Sequence, residues 1–434
     1  MRYLLDALYL YVLTLLFPWL LFKACTTGKY RRGLAPKLLG LAQTPAELAR
    51  DPRPRVQFHG VSVGEIHLLR QVVAAFRQRH PEYACVISTT TDTGFDEARQ
   101  RFPDLAVVYY PFDFSWAVRR TLRRLNPALI VLAEGELWLN FLMAAKRQAI
   151  PVASINGRMS PRSYRNYRRL GGLARWLLNH LDLCAVQTQE YADNLRSLGV
   201  APERVHVTGS VKYDGVAASR SNPKTNELRT LFDVRPDDLV WVAGSTQAPE
   251  EEIVLDIFRR VRPAHPNLRL FIVPRQKDRF EVVAQLLDRS GLPFARRSAL
   301  RAPRPALVLV DTIGELGALW GLANVAFVGG SLDGRRGGQN MIEPAAYGAA
   351  VVFGPHVWNF KEPAAKLVGI GAAVQVAGAA ELEAAVRRML ESPEDRQHRG
   401  AAAQRFVLRQ QGATARTITL LDALLTKRPG HQAA

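Results

Sequence analysis

The sequence predicts an α/β protein of two similar halves, each a parallel, doubly wound sheet, preceded by an N-terminal hydrophobic helix. Three observations carry this. Short apolar runs alternate with amphipathic helical stretches along most of the chain, the pattern of strands buried on both faces and joined by crossover helices. The alternation breaks at residues 215–223 (GVAASRSNP), a small, polar, proline-terminated stretch, and then restarts. The first two dozen residues are almost wholly apolar.

Residues 3–22 (YLLDALYLYVLTLLFPWLLF) are interrupted only by Asp6 and Pro18 and are followed by Lys23, Lys29, Arg31 and Arg32. Such a run is about one bilayer-span of helix. Cations after the run, rather than before it, argue against a cleaved signal peptide, and the positive-inside rule then puts the following domains in the cytoplasm. Residues 1–24 are therefore expected to be a retained anchor. Asp6 makes a helix lying in the interface as good a reading as a spanning one; a core helix of a soluble domain is the third.

After a polar stretch at 43–54, strands are expected at 55–59, 85–89, 106–110, 128–133, 151–155, 183–187 and 205–209, with helices at 66–80 and 115–125 between them. These make a first domain over 25–215. Beyond a linker at 216–223, strands are expected at 239–243, 268–274, 306–309, 325–328, 350–353 and 373–376, with a helix at 381–390, giving a second domain over 224–434. An amphipathic run at 400–425 closes the chain and is long enough to cross back onto the first half.

The 434 residues include 58 Lys and Arg against 39 Asp and Glu, a net charge of +19, with 48% hydrophobic residues. This excludes a disordered polymer and calls for an anionic partner: nucleic acid, an acidic membrane or a phosphorylated substrate. Cys25, Cys85 and Cys184 form neither a disulfide framework nor a zinc-type cluster, and no histidine spacing points to a metal. Residues 1–215 are the more basic half, and Arg158, Arg162, Arg165 and Arg169 follow helical spacing, so one basic face is expected there. Guanidinium groups on such a face suit phosphates or an anionic membrane surface.

Chemistry-bearing residues fall at strand ends. Glu65, in His59-Gly-Val-Ser-Val-Gly-Glu65, follows the first strand and opens a helix, where it either faces a ligand or complements the helix dipole. Glu134, in Glu134-Gly-Glu136-Leu-Trp138, ends the 128–133 strand, and Lys212 follows the last strand of the half. A carboxylate base with a cation nearby suits deprotonation of a hydroxyl while an anionic group leaves. In the second half, Gly329-Gly-Ser331 and Gly337-Gly-Gln-Asn-Met-Ile-Glu343 are expected to present free backbone N–H groups to a phosphate, with Asn340 capping a helix and Glu343 as an alternative ribose contact. Neither loop is a Walker A or G-x-G-x-x-G sequence, which disfavours ATP or NAD.

HGVSVGE, EGELW, TGSVKYD, the Pro274-Arg275 pair, DTIGEL, FVGGS and GGQNMIEPAAYG occur in order over essentially the whole chain after the anchor. Together they resemble the 3-deoxy-D-manno-octulosonic acid (Kdo) transferases of lipopolysaccharide core assembly. The resemblance implies a GT-B fold, in which two Rossmann-like domains face each other across a cleft. It implies inverting transfer of Kdo from CMP-Kdo to a lipid A precursor at the cytoplasmic face of the inner membrane, with no metal and no cofactor. On matching positions Glu65 would accept the proton, and Glu134 and Lys212 would stabilise the transition state. CMP would be bound by Pro274, Arg275, Ile313, Gly314, Glu315, Asn340, Met341, Ile342 and Glu343. The membrane would be met by the N-terminal helix and the basic face, with no nucleic acid partner. The chain departs from the family pattern at Gln247 and Gln339, where histidines are usual, and at Leu139, where a proline is common. Two rivals remain: a membrane-associated GT-B transferase using a UDP-sugar, and a non-catalytic protein that binds anionic lipid or nucleic acid.

Overall fold

Strands that must satisfy every backbone group while burying both faces form the two centres of the molecule. The computed structural model describes residues 2–27, 32–40, 50–300 and 304–426; Lys29, Arg31 and residues 43–49 of the polar stretch lie outside them. The first sheet comprises β1 (Arg55–His59), β2 (Ala84–Thr89), β3 (Ala106–Tyr109), β4 (Pro127–Ala133), β5 (Val152–Gly157), β6 (Leu183–Val186) and β7 (Val205–Val207), in spatial order β3-β2-β1-β4-β5-β6-β7. The second comprises β8 (Leu239–Thr246), β9 (Leu268–Pro274), β10 (Ala295–Arg296), β11 (Leu307–Leu309), β12 (Val325–Val328), β13 (Ala350–Phe353) and β14 (Ala373–Gln375), ordered β10-β11-β9-β8-β12-β13-β14. All pairings are parallel, as crossover helices require. Every residue of β4 is buried, with Leu129 and Val131 in the core on one face of the sheet and Ile130 and Leu132 in that on the other. Each sheet reverses its strand order beside its first strand, at β1/β4 and at β8/β12, and in open α/β sheets ligands bind at the carboxyl ends of the strands flanking such a reversal.

The chain divides into unit 1 (Met1–Asp214 with Gln411–Ala434) and unit 2 (Gly215–Gln410). The end of the chain thus groups with unit 1, rather than closing a second domain over 224–434. The expected 400–425 run is two helices, Pro393–Gln410 and Ala413–Thr426, broken at Gly412, whose φ of 94° favours glycine. Asp214 accepts from the Gly412 and Thr414 N–H groups at 2.7 and 2.5 Å, capping the last helix. That helix buries Ile418, Leu421 and Leu425 in the unit 1 core, and Asp422 pairs with Arg79 and His80, each at 2.6 Å.

The N-terminal helix, Arg2–Thr27, is fixed to unit 1 through Asp6, which is buried. The helix Ser115–Leu125 has no side-chain cap from its own N-cap residue, Phe114. Asp6 supplies that cap from 109 residues away, accepting from the Ser115 N–H at 2.8 Å and its hydroxyl at 2.5 Å. Asp113 does the same for the helix Leu139–Arg147, accepting from the Asn140 and Phe141 N–H groups at 3.0 and 2.9 Å, while Tyr9 donates to it at 3.1 Å. Burial pushes the Asp113 carboxyl up to about 6 despite these donors. Asp6 is therefore a capping group rather than an intramembrane charge, and among the described residues no helix is long and apolar enough to cross a membrane. The rest of the helix exposes Leu15, Leu16, Phe17, Trp19 and Phe22.

Candidate active site

In unit 1 the three sequence-predicted groups meet at the carboxyl end of the sheet. Ser62 and Glu65 form a capping box on the helix Val63–Arg79: the Ser62 hydroxyl accepts from the Glu65 N–H at 3.4 Å and donates to its carboxylate at 3.2 Å, and Glu65 Oε2 accepts from the Val61 N–H at 2.7 Å. Gly60 lets the backbone pass close to the Glu65 side chain, since a Cβ here would stand 3.1 Å from that of Glu65 and press on it. Desolvation raises the Glu65 carboxyl above the ordinary glutamate range, and the nearby charges of Glu134 and Glu136 add to the effect, against the bonds from Val61 and Ser62. The cap thus fixes the carboxylate while its setting makes it a better proton acceptor.

Glu134 follows β4 with a φ of 56°, a conformation uncommon for a glutamate. Its Oε1 accepts from the Asn156 side-chain amide at 3.1 Å and stands 3.8 Å from Lys212 Nζ, and its Oε2 is 3.8 Å from Arg158. Asn156, itself buried and at φ 53°, accepts the Val211 N–H at 3.0 Å, so one side chain holds both Glu134 and the turn that carries Lys212. Arg158 precedes the helix Pro161–Leu170, whose N-cap is Ser160, and reaches toward Glu134. The expected four-arginine face is therefore three: Arg162, Arg165 and Arg169, all exposed. Glu136 accepts from the Trp138 indole at 3.0 Å. Beside it an apolar cavity of about 160 Å³ opens between Tyr9, Tyr110, Phe112 and Trp138.

In unit 2 the glycine loop differs from expectation. The N–H groups of Gly330, Ser331 and Leu332 are not free: all donate, at 2.7 to 3.0 Å, to the carboxylate of buried Glu250, which also accepts from the Gln247 N–H at 3.1 Å. A fixed internal anion occupies the position in which a phosphate was expected. The short helix Ile342–Ala346 starts later than expected, after Met341, although Asn340 Oδ1 still accepts the Ile342 N–H at 3.0 Å and its amide donates to Glu343 at 2.9 Å. Burial raises the Glu343 carboxyl, opposed by bonds from Asn340 and Trp320 and by the Arg275 cation. Arg275 is exposed at the end of β9, its N–H donating to Thr246 O at 3.1 Å. The 311–315 loop, with the start of the short helix Leu316–Leu319 that follows it, adjoins the same point, since a Cβ on Gly317 would lie 4.0 Å from Glu343. Arg275, Glu343 and this loop therefore form one surface, on which Ile313 is 58% exposed. The side chains of Pro274, Met341 and Ile342 are buried, so those residues offer a ligand only backbone. Glu315 is held by Arg297 at 2.7 Å and by the Thr312 hydroxyl. Among the described residues no group of three or more His, Cys, Asp or Glu is placed to hold a metal.

A family model described as 3-deoxy-D-manno-octulosonic-acid transferase (kdotransferase) matches residues 31–215. The chain is 33% identical over 405 residues to the 3-deoxy-D-manno-octulosonic acid transferase of Haemophilus influenzae, covering 92% of this chain and 93% of that one. It is 33% identical over 422 residues to the enzyme of the same description from Bordetella pertussis, covering 94% and 96%. The chain belongs to the Kdo transferase family. As a Kdo transferase it is a glycosyltransferase of the GT-B class that the sequence predicts. Its fold is similar to that of UDP-GlcNAc 2-epimerase from Neisseria meningitidis, with a TM-score of 0.54, 12% identity and coverage of 86% of this chain and 100% of that one. At that identity the likeness concerns the fold alone.

Sequence reading missed two residues of this Kdo transferase's site. Asn156 had a signal, an Asn-Gly pair closing a strand, which marks a turn. Glu250 had none, because three of the four N–H groups it binds lie 80 to 82 residues away.

Proposed function

We propose that the protein transfers Kdo from CMP-Kdo to a lipid A precursor at the cytoplasmic face of the inner membrane, with inversion at the anomeric carbon. An acceptor hydroxyl attacks that carbon as the bond to the CMP phosphate breaks. The electron pair leaves with CMP, and Glu65 takes the hydroxyl proton. Glu134, with Lys212 and Arg158 close to it, forms the charged surround of the reacting centre. CMP is assigned to the unit 2 surface of Arg275, the 313–315 turn and Asn340 to Glu343.

The observation that carries the reading is the setting of Glu65: a carboxylate fixed by a capping box, raised by desolvation, and coupled to Glu134 at the carboxyl end of the sheet. Membrane attachment is supported by the exposed apolar side chains of Arg2–Thr27 and by the exposed Arg162, Arg165 and Arg169. The apolar cavity beside Trp138 suits an acyl chain of such an acceptor. In single-turnover experiments Glu65→Gln, which keeps a hydrogen-bonding side chain, is expected to slow transfer by about 10²–10⁴-fold while CMP still binds. Turnover within a few-fold of wild type would remove Glu65 from the reaction.

A further inference from the structure

Unit 2 has a cavity at the other end of its sheet from Arg275 and Glu343, where β12 and β13 begin. Its volume is about 480 Å³, and its walls include Ala218 and Arg220 of the linker, Asn324 and Tyr347 ahead of the two strands, and Arg396 and Gln404 of the helix Pro393–Gln410. No acidic side chain lines it. Among the described residues neither guanidinium is paired with a carboxylate. Arg220 donates from Nε to Tyr347 O at 2.8 Å and from Nη2 to Ala323 O at 2.7 Å, and Arg396 donates from Nη1 to Met389 O at 2.6 Å. Those carbonyl bonds leave Arg220 Nη1 and Arg396 Nε and Nη2 uncommitted. Asn324 Oδ1 accepts the Val240 N–H at 2.8 Å, which leaves its amide N–H groups, and the Tyr347 hydroxyl accepts from Asn222 at 3.0 Å, which leaves its proton. The unspent groups of the two arginines are donors only, and Asn324 and Tyr347 each keep a donor as well, whereas Gln404, both of whose amide N–H groups are spent, keeps its Oε1 acceptor.

We propose that this cavity binds a small, soluble, phosphate-bearing anion between Arg220 and Arg396. Capping of helix ends by the two arginines accounts for the bonds to carbonyls, but not for two guanidinium groups with donors to spare in the lining of one acid-free cavity. Burial lowers both guanidinium groups from their ordinary value, with the Arg229 charge adding to the effect at Arg220, so an anion there relieves uncompensated positive charge. The site touches both segments through which the chain passes between the units: the linker leaving Asp214 and the helix that ends at Gln410. Gln404 already ties them, donating to Ala218 O at 3.1 Å.

The test is calorimetric titration of the full-length protein with pyrophosphate. Wild type and Arg275→Gln are expected to bind alike. Arg396→Gln is expected to bind at least tenfold more weakly, and Ala401→Phe, which puts a ring into the cavity while leaving both arginines in the sequence, not at all, with CMP binding by both variants reporting an intact unit 2. No heat with wild type at millimolar pyrophosphate, or equal affinity in all four proteins, would overturn the proposal. Loss in Arg275→Gln alone would move the anion to the nucleotide surface and overturn it too. Tighter binding of a short-chain phosphatidic acid than of pyrophosphate, abolished by Ala401→Phe, would overturn the soluble-anion assignment in favour of a lipid headgroup.

Discussion

At the scale of single residues, the site relies on carboxylates doing different work. Glu250 is spent on backbone N–H groups, so it fixes the 330–332 loop and has no capacity left for a ligand. Glu65 is held by fewer donors and by a setting that favours its protonated form. As a base it must be ionised, so activity is present above its folded-state value and is lost as the pH falls through it. Because that value is raised, the acid limb of kcat is expected above the ordinary glutamate value of about 4.3, and Glu134→Gln is expected to move it toward lower pH by removing a like charge. A limb at or below the ordinary value in wild type would refute the assignment. Strand-end carboxylates such as Glu65 and Glu134 were legible because an α/β pattern fixes where strands end. Asn156 carried only a turn signal and Glu250 none, since the groups that give them their roles, Glu134 and Val211 for the one and the 330–332 loop for the other, come from remote segments that only the fold brings near.

At the scale of elements, the chain is stitched by caps supplied from a distance. Asp6 and Asp113 start helices to which they do not belong, and Asp214 starts the last one. Hydrophobic runs located the strands well: β12 and β13 begin and end where the pattern puts them, because both-face burial favours an unbroken apolar run, and so do β9, interrupted only by Arg269, and β1, where Val56 and Phe58 alternate with polar residues. The same criterion misses β10, whose two residues are an alanine and an arginine, and it does not show on which unit the final helix rests. That docking involves His80. Burial alone would lower its pKa, but the bonds to Asp422 and Glu82 outweigh burial and raise it. The stability it contributes is full below the unfolded value of about 6.5 and is lost as pH rises through the raised folded value. Melting temperature is therefore expected to fall between about pH 6 and 8, and His80→Gln is expected to flatten that fall. An unchanged slope in the variant would assign the pH dependence elsewhere.

At the scale of the whole molecule, net charge and exposed apolar surface point to one kind of environment. The N-terminal helix offers Leu15, Phe17, Trp19 and Phe22 to it, and the helix Pro161–Leu170 offers Arg162, Arg165 and Arg169 without ion-pair partners among the described residues. The protein is expected to sediment with vesicles containing anionic lipid, less so as added salt shortens the Debye length from about 30 Å at 0.01 M to about 8 Å at 0.15 M, and less again when the three arginines are changed to glutamine. Equal binding to neutral and anionic vesicles would remove the arginines from membrane recognition. The central claim is tested most directly by a transfer assay: detergent-solubilised protein, CMP-Kdo generated in situ and a tetraacylated lipid A precursor, with the product weighed by mass spectrometry with and without chelator. A product heavier by whole Kdo units, formed equally in chelator, is the predicted result. A folded protein that binds CMP but leaves the precursor's mass unchanged would contradict it.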